Sequence, residues 1–315
     1  MSKPAFTFPG QGSQAVGMGR DLADNFVEAR EVFAEVDDAL GLKLSAIMFE
    51  GPEDTLRLTE NAQPALMATS MAVIRVLEAR GVTVAGAASY VAGHSLGEYS
   101  ALCAAGTFSL SDTARLLQIR GRAMQQAVPV GQGAMAALLG LEMDDVKAIA
   151  AEAAQGEVCD VANDNSPGQV VVSGNLAAIE RAIELAKGKG AKRALALPVS
   201  APFHCALMAP AAEAMREALA AVEMKAPVVP VVSNVLARPI SDPGEIRNRL
   251  VEQVTGMVRW TESVSWLAKD AGVSELYELG TGKVLTGLAK RIDPGLTAQA
   301  VGTAEDIEAL IAARG

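Results

Sequence analysis

Apolar residues along the chain recur with two different periods, and the alternation between them predicts the architecture. Around Arg120, the residues Leu116, Leu117, Ala123 and Met124 fall at i−4, i−3, i+3 and i+4, while Arg115 and Arg122 fall on the opposite face. That pattern predicts an amphipathic helix from Ser111 to Val128, with Ser111 as its N-cap and Asp112 in its first turn. Further helices are predicted near Asp21 to Leu40 and from Pro64 to Arg80, the latter opened by its proline. Short apolar runs bounded by turn residues predict strands at Ala5 to Phe8, Tyr90 to Ala92, Val228 to Ser233, Leu276 to Leu279 and Gln299 to Gly302. Strands alternating with helices imply a mostly parallel sheet covered on both faces.

One stretch departs from that rhythm. It reads as strand (Ala134 to Leu141), helix (Met143 to Ala154), strand (Val158 to Asn163), strand (Gln169 to Ser173), helix (Leu176 to Lys187) and strand (Lys192 to Pro198). The order β-α-β-β-α-β is the ferredoxin-like pattern. Gly131-Gln132-Gly133 before it and Ser200-Ala201-Pro202 after it read as hinges. The expected division is therefore a discontinuous larger unit, residues 1–130 with 199–315, and an inserted smaller one, residues 131–198. A cleft between them is the natural substrate site.

Gly93-His94-Ser95-Leu96-Gly97 spells G-x-S-x-G between the apolar Tyr90-Val91-Ala92 and the helix-compatible run from Glu98 to Ala105. In that context the glycines permit a tight strand-to-helix turn with Ser95 Oγ standing proud, and the Leu96 N–H sits at a helix N-terminus, suited to a developing oxyanion. The fold class is accordingly α/β, with a mostly parallel, α/β-hydrolase-like core and the inserted ferredoxin-like subdomain. The serine needs a base, and the chain has two histidines. His94 precedes Ser95 on the strand, so its ring should point the other way. His204, in Pro202-Phe203-His204-Cys205, is left for general-base work, and His94 for a structural role beside the turn.

Arg120 sits in the middle of an apolar stripe. A buried charge left unpaired costs about 3–5 kcal/mol. Its partner is either a carboxylate of the protein or the carboxylate of a ligand, which a planar guanidinium grips with two parallel hydrogen bonds.

Phe8-Pro9-Gly10-Gln11-Gly12-Ser13-Gln14, Gly93 to Glu98, Arg120-Gly121 with Met124-Gln125, Gly133 to Ala137 and Val199 to His204 together resemble the malonyl-CoA:acyl carrier protein transacylases. The similarity runs in order to Gly280-Thr281-Gly282-Lys283, where Thr281 replaces the family's usual proline. The resemblance implies transfer of a malonyl group from malonyl-CoA to the phosphopantetheine thiol of a holo acyl carrier protein, through a malonyl ester on Ser95. It further implies that the Gln11 N–H joins that of Leu96 in the oxyanion hole, that the Gln253 main-chain carbonyl orients His204, and that Arg120 binds the malonyl carboxylate. Gln63, Met124, Asn165 and Phe203 become substrate contacts on the same basis. From the residues alone, Gln63 is helix-start chemistry, and Asn165, in Asn163-Asp164-Asn165-Ser166-Pro167-Gly168, is turn chemistry. A serine thioesterase, a transacylase of other acyl preference and a non-catalytic acyl-CoA-binding protein remain open alternatives.

Composition narrows the rest. Hydrophobic residues make up 50% and charged residues 20% of the 315 positions, with no apolar run long enough to span a bilayer. Met1-Ser2-Lys3-Pro4 leads into the first strand without a signal-peptide region, so a cytoplasmic enzyme is expected, acting as a monomer away from membranes. Cys103, Cys159 and Cys205 read as buried thiols, and nothing has metal-ligand spacing, so no metal or cofactor is expected beyond the CoA thioester substrate. The net charge of −10 argues against nucleic acid as a partner. Gly10-Gln11-Gly12 with Gly17 fails the dinucleotide fingerprint on spacing, and no Gly-Lys-Ser/Thr makes it a phosphate loop. Lys187, Lys189, Lys192 and Arg193 form a short basic run in this acidic chain, a solvated face or a place for an acidic carrier to dock.

Overall fold

The structure is a computed structural model that describes residues 4–199 and 201–313. Met1 to Lys3 of the expected leaderless start, and Ser200 of the second expected hinge, lie outside the described residues. Eleven strands are found among the described residues: β1 (Ala5–Phe8), β2 (Tyr90–Gly93), β3 (Gly133–Leu139), β4 (Cys159–Ser166), β5 (Gln169–Asn175), β6 (Arg193–Ala196), β7 (Val231–Val232), β8 (Pro239–Ile240), β9 (Val258–Arg259), β10 (Glu275–Leu279) and β11 (Thr297–Val301). They form two sheets, ordered β11-β10-β1-β2-β7-β8 and β6-β3-β5-β4-β9. The first is parallel from β11 to β7 and ends in the antiparallel pair β7-β8. Because β1, β2 and β7 run side by side in the same direction, the loops after Phe8, Gly93 and Val232 emerge at one edge. That edge, beyond the carboxyl ends of parallel strands, is where such sheets form crevices.

Within the second sheet the β-α-β-β-α-β order is present, with the first of its four strands between the fourth and the third. Val170 and Val172 of β5 pack with Ala136 and Leu138 of β3 against the helices Met143–Ala154 and Leu176–Gly188, whereas Val171 and Met135 join the main core on the opposite face. Sequence pattern did not reveal the fifth strand, β9, which pairs in parallel with β4 through Asn163↔Val258 and Asp164↔Arg259. Two residues are too short a run to carry a period.

The turn expected at Asn163 to Gly168 is mostly strand, since β4 runs on to Ser166, and the strand expected from Val228 to Ser233 is only Val231–Val232. Three helix boundaries differ from expectation for identifiable reasons. The helix expected at Ser111 runs from Leu110 to Gln126, capped by Ser109, whose Oγ accepts the Asp112 N–H at 3.0 Å. Ser111 lies inside it and donates instead to Glu35. The helix expected to open at Pro64 starts at Thr59 and carries the proline inside. Pro64 lies past the first turn and forfeits the ladder bond its N–H would make to Glu60. The early turn is fixed by close packing, since a Cβ on Gly121 would come within 2.6 Å of the Thr59 carbonyl oxygen and the Glu60 Cα. The single helix expected near Asp21 to Leu40 is two, Arg20–Asn25 and Val27–Leu40, interrupted where Phe26 turns extended and buries its ring.

Candidate active site

The elbow is built as its glycines require. Ser95 follows β2, precedes the helix Gly97–Ala104 and holds a φ of 55°. A side chain at Gly93 would run into the backbone of Gly97, and one at Gly97 into the Phe8 carbonyl, so both positions demand glycine. A non-glycine residue in the left-handed region is held there only by its surroundings. Here the Asn234 Oδ1 accepts the Ser95 N–H at 2.7 Å, its Nδ2 donates to the Gly93 carbonyl at 2.7 Å, and the Gln253 Nε2 donates to the Ser95 carbonyl at 2.9 Å.

Ser95 Oγ lies 2.7 Å from His204 Nε2. His204 Nδ1 lies 2.8 Å from the Gln253 carbonyl oxygen and 3.2 Å from that of Gly256. These carbonyls belong to the last turn of the helix Pro243–Thr255 and its C-cap, where carbonyls lack partners within the helix. Nδ1 must therefore carry the hydrogen, leaving Nε2 as the acceptor that faces the serine. Burial, then the Arg120 charge, push the His204 pKa down to about 3, against the raising effect of the Gln253 carbonyl. The imidazole is thus a neutral proton acceptor. His94 points elsewhere: Nε2 lies 2.8 Å from Asn165 Oδ1, and its ring sits 5.6 Å from that of Trp260. Asn165 therefore meets His94 across the two sheets.

Arg120 is buried, with Leu116, Leu117 and Met124 buried around it and Arg115 and Arg122 exposed. Its Nη1 donates to Gln63 Oε1 at 2.9 Å, and its Nη2 to Gln253 Oε1 at 2.9 Å and Ser95 Oγ at 3.2 Å. Nε has no hydrogen-bond partner, and the guanidinium carbon lies 5.7 Å from the centre of the Tyr99 ring. Among the described residues every hydrogen-bond acceptor of Arg120 is thus a neutral oxygen. Burial lowers its pKa, while Tyr99 and Glu98 raise it. Gln63 Nε2 in turn reaches Met124 Sδ at 3.8 Å. Phe203 is buried beside His204.

The loop holding Gln11 packs against the elbow, for a Cβ on Gly10 would come within 2.9 Å of the His94 carbonyl oxygen. Sequence reasoning missed Asn234, the Gln253 side chain and any task for Glu98. Glu98 is buried in the first helical turn; its Oε2 accepts from Gln253 Nε2 at 2.6 Å and from the Asn234 N–H at 3.3 Å. Burial pushes its pKa up to about 7, opposed by Gln253, Asn234 and Arg120. The available signal was a carboxylate in the motif itself, followed by an apolar helix with no cation at helical spacing. Among the described residues no group of three or more His, Cys, Asp or Glu is placed to hold a metal ion, and no helix is long and apolar enough to cross a membrane.

A serine, a neutral histidine and a buried cation around one elbow, at the carboxyl edge of a parallel sheet, describe covalent acyl chemistry. Residues 5–268 match the acyl transferase domain, and the chain belongs to that family of acyltransferases. It is 49% identical over 301 residues, 96% of each chain, to the malonyl CoA-acyl carrier protein transacylase of Escherichia coli K12. The crystal structure of the acyl-carrier-protein-S-malonyltransferase of Bartonella henselae is 61% identical and superposes with a TM-score of 0.97 over 99% of both chains. A malonyl-transacylase in complex with a type II polyketide acyl-carrier protein is 45% identical, with a TM-score of 0.96 over 99% of this chain and 100% of that one.

Proposed function

We propose that this chain moves a malonyl group from malonyl-CoA to the phosphopantetheine thiol of an acyl carrier protein, supplying the extender unit for fatty acid synthesis. Ser95 Oγ attacks the thioester carbonyl as its proton passes to His204 Nε2, and the Gln253 carbonyl keeps the ring in the accepting tautomer. The oxyanion rests on the Leu96 and Gln11 N–H groups. Collapse breaks the C–S bond, and CoA leaves with the proton from His204. The carrier thiol then gives its proton to His204 and attacks the malonyl-serine ester, and Ser95 regains its proton as the ester breaks.

The observation that carries the malonyl reading is Arg120: a buried guanidinium with only neutral acceptors, 3.2 Å from Ser95 Oγ. Glu98 acts on Arg120 only across the Gln253 amide; an acyl group bearing a second carboxylate supplies a directly bonded anion within reach of the nucleophile, and acetyl does not. Gln63 and Met124 shape the pocket around that guanidinium, Phe203 limits room beside His204, and Asn165 acts from the rim through His94. In this reading residues 1–130 with 199–315 form the catalytic unit, and residues 131–198 wall the cleft. CoA is substrate, and no cofactor takes part.

Intact-protein mass spectrometry after brief mixing with malonyl-CoA tests the reading. A single malonyl adduct, absent in Ser95→Ala and weak with acetyl-CoA, is the expected result. Free CoA accumulating without an adduct would make the protein a hydrolase, and neither product would make it a binding protein.

A further inference from the structure

Glu98 has no step in the mechanism above, yet it is a fully buried carboxylate two residues from the elbow's Leu96. What it touches is the Gln253 amide. That amide is held on both sides: Nε2 faces three acceptors, Glu98 Oε2 at 2.6 Å, the Ser95 carbonyl at 2.9 Å and Asn234 Oδ1 at 3.4 Å, while Oε1 faces Arg120 Nη2 at 2.9 Å. Turned the other way, the amide would set an oxygen against three oxygens and an NH2 group against a guanidinium, which has no acceptor. A carboxylate is the strongest acceptor available to pin the NH2 end. The same oxygen receives the Asn234 N–H, and Asn234 clamps both peptides flanking the serine's strand exit. One oxygen of Glu98 thus ties the placement of Arg120 to the placement of Ser95.

We infer that Glu98 is a positioning residue which, through the Gln253 amide, holds the Arg120 guanidinium in register with Ser95 and so sets the preference for acyl groups that carry a free carboxylate. The inference rests on Arg120 being the site of that carboxylate. It separates two duties of Gln253: its backbone carbonyl orients the histidine, and its side chain aligns the arginine.

The test compares acylation by malonyl-CoA and acetyl-CoA in the full-length wild-type protein, Glu98→Met, Glu98→Gln and Gln253→Met. Glu98→Met fills the volume without an acceptor, so the malonyl-to-acetyl ratio of kcat/KM should fall about tenfold or more, mainly through KM for malonyl-CoA. Acetyl transfer should stay within about threefold of wild type. Glu98→Gln keeps an acceptor oxygen in place and should retain most of the ratio. Gln253→Met leaves the carbonyl to His204 but removes the donor to the Ser95 carbonyl, so it should slow both substrates and, on top of that, lower the malonyl-to-acetyl ratio as Glu98→Met does. An unchanged ratio in Glu98→Met, or equal losses with both substrates, would overturn the inference. Should Glu98→Met fail to fold, an unchanged ratio in Gln253→Met overturns it equally. A wild-type protein with no malonyl preference would defeat the Arg120 reading and this inference with it, whereas a wild-type preference kept by both Met variants defeats this inference alone.

Discussion

The two sheets bury different kinds of residue. Beneath the second sheet and its two helices lies an aliphatic cluster, including Leu138, Val146, Ile149, Val170, Val172 and Ile179. At the carboxyl edge of the first sheet the buried set includes Gln63, Glu98, Arg120, His204, Asn234 and Gln253. Apolar burial there would have been more stabilising at about 25 cal/mol per Å2, and each buried polar group must instead be satisfied by a neighbour. Apart from Arg120 Nε, which has no partner, they satisfy one another through a single connected network. Where local rules for stability are broken and the breakages share hydrogen bonds, the structure is organised for chemistry. Substitutions in the two regions should therefore fail in different ways.

The widest contrast lies between the two histidines. His204→Ala should slow serine acylation by on the order of three to four decades, since Ser95 loses its proton acceptor. His94→Ala, which loses the Asn165 contact and packing against Trp260, should cost about tenfold or less. Stopped-flow release of CoA measures both, and comparable losses in folded variants would mean that the two rings are not functionally distinct. Next comes Arg120→Ala, expected to lower malonyl transfer by about two decades while acetyl transfer changes little. Unchanged malonyl kinetics would remove Arg120 from the substrate site and dissolve the contrast between its neutral partners and an ordinary ion pair.

How far each region could be read in the sequence follows the same division. In the second sheet, residues such as Val170, Val172, Ile149 and Ile179 declare strand and helix by period alone, and the β-α-β-β-α-β order is legible from them. At the elbow, Gly93, Ser95 and Gly97 are legible because sterics leave no other choice. Arg120 is legible because a cation interrupts an apolar stripe. Asn234 and the side chain of Gln253 were not, since each reaches Ser95 across more than a hundred positions of chain. Nothing local marks such a residue: Asn234 follows a two-residue strand, and Gln253 sits in an ordinary helix. The N-cap at Ser109 rather than Ser111 shows the same limit on a smaller scale, because both serines satisfy the local rule and only packing chooses between them.

A substitution in the aliphatic region should have the opposite signature. Val172→Ala removes two methyl groups from a fully buried side chain in the aliphatic core that the second sheet shares with its two helices, and should lower unfolding stability by about 2 kcal/mol. Malonylation by the folded fraction should remain within about twofold of wild type. Urea unfolding followed by single-turnover acylation checks both halves. A catalytic loss without a stability loss would show that the second sheet takes part in the chemistry.

The smallest expected effect is an absence. An ordinary histidine gains its proton near pH 6.5, so a base of ordinary affinity would lose activity across that range. Burial and Arg120 hold the His204 pKa near 3, so its basic form persists well below pH 6.5. Acylation should therefore change by no more than about twofold between pH 5.5 and 6.5 on account of this group. Glu98, pushed up to about 7, titrates in the adjoining window, and Glu98→Gln isolates the histidine by removing that titration. The sign for folding is set by the same depression. The unfolded imidazole takes up its proton near pH 6.5 and the folded one only near 3, so His204 contributes stability above pH 6.5 that is lost as the pH falls toward 3. Below pH 6.5 the folded enzyme should thus lose stability before it loses its base. A rate inflection near pH 6.5 that survives in Glu98→Gln would give His204 an ordinary proton affinity, and the buried, cation-flanked base that separates this edge of the first sheet from the aliphatic second sheet would have no chemical consequence.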